Sequence, residues 1–134
     1  MIEKLIDEAL KARELSYSPY SKFKVGAAIL MKDGTYIYGA NIENSSYGLS
    51  MCAERNAMFQ MVLKGYKKED AVAMCVIGST KKPISPCGAC RQVMVELLPK
   101  NIEIYLANLN REYIKKSLVE LMPYAFVEIE HDGE

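Results

Sequence analysis

Two short stretches of this chain carry residues able to do chemistry, Cys52-Ala53-Glu54-Arg55 and Pro86-Cys87-Gly88-Ala89-Cys90. Each stands where a loop gives way to a helical pattern of apolar residues, which places its first cysteine at a helix N-terminus. Unpaired N–H groups and a partial positive charge there favour thiolate over thiol. Two such ends facing one point would offer three thiolates to a zinc ion. Three protein ligands leave the fourth tetrahedral position for water, as in catalytic rather than structural sites. The single histidine, His131, lies in the C-terminal tail, so the third ligand is expected to be cysteine. Glu54 is two residues beyond Cys52, near enough to exchange protons with an activated water without ligating the metal. Three thiolates around a dication leave one excess negative charge, which Arg55 and the helix ends are placed to offset.

The same residues admit duller roles. Cys87-Gly88-Ala89-Cys90 has the spacing of a redox dithiol, but that reading leaves Cys52 and Glu54 unused. A structural zinc module would need a fourth protein ligand, and only Cys75 could supply one. Cys75 sits inside an apolar run and reads as a small buried residue.

Composition narrows the setting. The chain has 134 residues, about one domain, and half of them are hydrophobic, enough for a core without disulfide staples. Seventeen basic residues balance 17 acidic ones, which gives no overall attraction to a polynucleotide. The N-terminus is charged and helix-like rather than a signal peptide, and no apolar run approaches the roughly 20 residues of a membrane span. A soluble cytoplasmic protein is expected, in which a Cys-x-x-Cys pair favours metal or redox work over disulfides.

The elements that must position these residues follow from periodicity. Ile2, Leu5, Ile6, Ala9 and Leu10 predict an amphipathic helix over the first 15 or so residues. Phe23–Met31 and Thr35–Ile42 flank Asp33-Gly34 and predict a β-hairpin. A second helix follows Cys52 and closes at Lys64-Gly65. Ala71–Gly78 reads as a buried strand, Cys90–Leu98 as a third helix stopped by Pro99, and Ile102–Ala107 as another strand. Ser117 is placed to cap a short helix ending before Pro123. Helix, two strands, then alternating helix and strand make a single α/β domain, a mixed sheet covered by helices.

Cys-Ala-Glu-Arg followed by Pro-Cys-Gly-Ala-Cys-Arg-Gln resembles the cytidine deaminase family. The likeness extends to Ser18–Ala28, Asn41-Ile42-Glu43-Asn44 and Leu121–Phe126. Five separated blocks in the right order cover nearly the whole chain, residues 1–134, as one deaminase domain. The resemblance implies a three-layer α/β fold with a five-stranded mixed sheet between helices; periodicity predicts four of these strands, and the fifth is expected near Ala125 to Ile129. It assigns Cys52, Cys87 and Cys90 to one zinc ion and Glu54 to proton transfer. Zinc-bound hydroxide would attack C4 of cytidine or 2′-deoxycytidine, yielding the uridine product and ammonia. Asn41 and Glu43 match positions that hold the ribose hydroxyl, and Phe23 a residue that packs on the base. The backbone of Ala53 would bond the base edge. Tyr47 and Phe126 match aromatics reaching the site of another subunit, as in the small three-cysteine homotetramers of the family. Blasticidin-S deaminases are similar in both zinc motifs but lack the Asn-x-Glu pair. Polynucleotide editors use histidine as first ligand, so a nucleoside is the expected partner, with neither nucleic acid nor membrane.

Overall fold

Strand pairing follows the hydrophobic pattern closely. In the computed structural model, which describes residues 1–128, strands β1 (Val25–Met31) and β2 (Tyr36–Ala40) form an antiparallel hairpin. Its turn needs Gly34, whose φ of 88° is a left-handed value that other residues adopt at a cost. Strand β3 (Ala71–Gly78) pairs antiparallel with β1 on that strand's other edge, and β4 (Glu103–Asn108) lies parallel to β3. Strand β5 (Tyr113–Lys116) completes a five-stranded sheet in the order β2-β1-β3-β4-β5.

This sheet is mixed, and each face is covered. Helix α1 (Ile2–Arg13) brings Leu5, Ile6 and Ala9 onto one face, against Ala28, Ala73, Cys75, Ile77 and Ala107. Alternate residues of the same strands, Ala27, Ile29, Met74, Val76, Ile104 and Leu106, turn to the other face. There they meet α2 (Ala53–Leu63) and α3 (Gly88–Leu97), so the molecule has the expected three layers. The strict alternation is the period-2 geometry of a pleated strand. Burying each large aliphatic side chain contributes about 1.5–3 kcal/mol.

Close backbone contact sets where α2 lies. A Cβ on Gly39 of β2 would fall 2.3 Å from the Ala53 carbonyl oxygen and the same distance from the Ala57 nitrogen. Only glycine lets the first turns of α2 rest directly on the strand. The side-chain amide of Asn56 adds a bond of 2.8 Å to the carbonyl of Ala40.

One expectation is corrected. The fifth strand is Tyr113–Lys116; residues 125–128 form no strand, and Ile129 lies outside the described residues. Tyr113–Lys116 escapes a periodicity search because it is a largely exposed edge strand with two lysines, which needs no apolar face. The predicted Ser117 cap of α4 (Leu118–Leu121) is present, and the structure extends it to a capping box, with Glu120 N–H bonded to the Ser117 hydroxyl and Ser117 N–H to the Glu120 carboxylate. Among the described residues no helix is long and apolar enough to cross a membrane.

Candidate active site

Cys52 is the N-cap of α2, Cys87 is the N-cap of α3, and Cys90 lies one turn into α3. Both helices begin at the same end of the sheet face, so their N-termini converge. The Sγ atoms of Cys52 and Cys87 are 3.9 Å apart, those of Cys87 and Cys90 3.5 Å, and all three lie within 4.8 Å of one another. Zn–S bonds of about 2.3 Å in a tetrahedron place sulfurs about 3.8 Å apart, so the trio fits zinc. Cys75 cannot join them, because its side chain points to the opposite face of the sheet, under α1. His131 is outside the described residues. Among the described residues the cluster holds three protein ligands, leaving a coordination position free for chemistry.

Loop 83–87, which carries Cys87, is held from behind by Arg91. Its guanidinium donates to the Pro86 carbonyl at 2.9 Å, to the Ser85 hydroxyl at 2.8 Å and to the Leu121 carbonyl at 2.9 Å. The Ile84 N–H bonds the Ala107 carbonyl at the end of β4. Arg91 stands in the second motif, yet only the folded chain shows that it ties the ligand loop to the start of the C-terminal segment.

Charges at the site are strongly perturbed. The Cys52 thiol is pulled down to about 5, first by hydrogen bonding with Cys90 and then by Arg55, whose Nη2 is 3.5 Å from its sulfur. Cys90 is pushed up by the same contact with Cys52 and by burial. The Arg55 guanidinium is held in its charged form by Cys52. Glu54, in the first turn of α2, is buried, and burial raises its carboxyl above the ordinary range. A buried carboxyl raised toward neutrality is the kind of group that both gives and takes a proton.

A cavity of about 300 Å³ is bordered by Cys52, Cys87, Glu54, Asn41 and Glu43. Phe23 and Ala53 border it as well. Val25, from the Ser18–Ala28 block, lines it too, with Ser50, Met51, Ile84 and Ser85, to which no motif assigns a role. The amide of Asn41 accepts from the Val25 N–H at 2.9 Å and from the Ser16 hydroxyl at 2.6 Å, and donates to the Phe23 carbonyl at 2.8 Å. Glu43 accepts from the N–H groups of Tyr20 and Ser21 at 3.0 and 3.1 Å and from the Ser21 hydroxyl. Those bonds, the Ser21 hydroxyl first, hold its carboxyl below the usual range. Tyr47 and Phe126 do not border this cavity; they are 67% and 64% exposed.

The comparisons with known proteins agree with this geometry. Residues 1–106 match the family model described as the cytidine and deoxycytidylate deaminase zinc-binding region. A cytidine deaminase of Halalkalibacterium halodurans is 55% identical over 122 residues, 91% of each chain. The chain belongs to the cytidine deaminase family. A cytidine deaminase of Sporosarcina psychrophila is 49% identical over 93% of this chain and 90% of its own length. The crystal structure of cytidine deaminase from Burkholderia pseudomallei superposes with a TM-score of 0.90 at 48% identity, covering 92% of this chain and 98% of the other. Family membership accounts for the three-layer fold, the five-stranded mixed sheet and the Cys₃ zinc-binding group.

Proposed function

We infer that this chain is a single-domain zinc-dependent hydrolase that deaminates cytidine and 2′-deoxycytidine to the corresponding uridines with release of ammonia. The observation that carries the reading is one cavity bordered by two thiols of the three-cysteine cluster, a buried glutamate and an amide–carboxylate pair. Its volume of about 300 Å³ suits a nucleoside rather than a polymer, and the chain's zero net charge offers no general pull on nucleic acid. Four free cysteines suit the reducing cytoplasm.

Cys52, Cys87 and Cys90 would hold the zinc, which when bound lowers the pKa of a water and polarises its substrate. Glu54 takes a proton from the water that attacks C4 and delivers it to N3. It then carries a proton to the departing amine, so one water is consumed and one ammonia leaves. Burial that favours the protonated carboxyl suits this shuttle. Arg55, against the Cys52 sulfur, offsets the excess thiolate charge. Phe23 packs on the base and the Ala53 backbone bonds its edge. Asn41 and Glu43 take a sugar hydroxyl. The exposure of Tyr47 and Phe126 fits side chains that complete neighbouring sites in a homotetramer.

The decisive experiment gives cytidine to the purified protein and follows uridine and ammonia, with Glu54→Ala as control and zinc measured in both. Uridine from the native protein, about one zinc per chain in each, and a loss of roughly 10²–10⁴-fold in the variant are expected. Zinc with unreacted cytidine would overturn the substrate, and blasticidin S would be tried next. No zinc, with Cys87 and Cys90 cycling against a dithiol, would overturn the enzyme reading.

A further inference from the structure

The sugar end of the cavity has a fixed hydrogen-bond polarity. A backbone N–H can only donate and a backbone carbonyl can only accept, so the bonds from Val25 and to Phe23 settle which way the Asn41 amide faces. Both lone pairs of its oxygen are then occupied, by the Val25 N–H and the Ser16 hydroxyl, and one of its two N–H bonds is spent on Phe23. What Asn41 has left is a single donor. Glu43 is in the converse state. Of the four acceptor positions of a carboxylate, Tyr20 N–H, Ser21 N–H and the Ser21 hydroxyl take three. What Glu43 has left is a single acceptor.

Ser21 also links this pair to the base end. Its hydroxyl donates to Glu43 and accepts the Phe23 N–H at 3.0 Å, across the turn in which Lys22 takes a left-handed φ of 61°. Phe23 is thus held at its N–H by Ser21 and at its carbonyl by Asn41.

We propose that Ser16 and Ser21 are positioning residues that leave Asn41 as a pure donor and Glu43 as a pure acceptor toward the ligand. The site therefore reads one sugar hydroxyl that donates to Glu43 while accepting from Asn41. This rests on the assignment of Asn41 and Glu43 to the sugar. Neither serine touches the ligand in this scheme; each acts through the residue it saturates.

The test compares kcat/KM for cytidine with that for 2′-deoxycytidine and 3′-deoxycytidine in the native enzyme and in Ser16→Ala, Ser21→Ala, Ser16→Thr and Ser21→Thr. Native enzyme should discriminate against the analogue lacking the hydroxyl that is read, because its loss leaves the remaining Asn41 donor and Glu43 acceptor unpaired within the occupied site. In each alanine variant that discrimination ratio should fall by about 10-fold, the worth of one hydrogen bond to a charged or saturated partner. The threonine variants, which keep the hydroxyl, should restore it. A variant that is only less well folded lowers all three substrates together and leaves the ratio unmoved. Native enzyme indifferent to both hydroxyls would overturn the sugar assignment and this proposal with it. Native discrimination that survives both alanine substitutions would overturn the proposal alone.

Discussion

Each face of the sheet carries a cysteine and a buried glutamate that can be compared across it, Cys75 with Cys52 and Glu8 with Glu54, and within each pair the shifts run in opposite directions. Under α1, Cys75 is pushed up to about 12 by burial alone, while Glu8 is held below the usual range by Lys11, 2.9 Å away. Under α2 and α3, Cys52 is pulled down to about 5 and Glu54 is raised. Residue type is the same in each pair. The difference is what surrounds it: apolar packing, Tyr38 and the lysines Lys11 and Lys4 on the first face, two helix N-termini, an arginine and neighbouring sulfurs on the second. The α1 face keeps its thiol inert and its carboxylate ionised, as a structural face should. On the other face Cys52 and Glu54 are shifted the opposite way, while Cys90 is raised by its contact with Cys52; a lowered thiol and a raised carboxyl suit the metal binding and proton transfer proposed for them.

The contrast breaks most sharply at the cysteines. Cys87→Ala should empty the site of zinc and abolish cytidine deamination, whereas Cys75→Ala should keep about one zinc per chain and near-native turnover. Metal analysis and the uridine assay on the two variants check it. Loss of zinc from the Cys75 variant would mean that the faces are not independent. A smaller effect is expected at Arg55, whose contact with Cys52 separates that thiol from Cys75. Arg55→Ala should retain zinc and lower kcat by about 10-fold, the value of one charge-assisted hydrogen bond. Unchanged turnover would remove Arg55 from the charge balance.

The smallest effect belongs to the α1 face. The folded pKa of Glu8 is depressed, so its stabilising contribution is present above the unfolded value near 4.3 and is lost as pH falls through the folded value. Glu8→Gln should therefore flatten the acid limb of the melting temperature between about pH 5 and pH 3, without changing zinc content at neutral pH. A native-like acid limb in that variant would show that Lys11 contributes nothing there.

Much of this architecture is legible without coordinates. The apolar run Ala71–Gly78 is β3 to the residue, and Ser117 caps α4 through the side chain its type suggests. Strand β5 is not legible, because an exposed edge strand satisfies its backbone on one neighbour and needs no hydrophobic stripe. Ser16 and Ser21 were equally silent. A serine in a loop is commonplace, and nothing local says that its hydroxyl is spent on an amide 25 residues away or on a carboxylate 22 residues away.

What the sequence determined by itself is local: which residues end helices, which alternate in strands, and that three cysteines and a glutamate stand at helix starts. These follow from backbone geometry over a few residues, which each stretch carries within itself. Only the tertiary structure decided that the starts of α2 and α3 meet, so that cysteines 35 residues apart come within 3.9 Å. The same arrangement turned Cys75 to the far face and left one donor on Asn41 and one acceptor on Glu43. Those outcomes depend on pairing between distant strands and on Gly39 letting α2 settle on β2. Proximity and electrostatic environment arise only once the layers have packed, and they, more than residue type, give this site its chemistry.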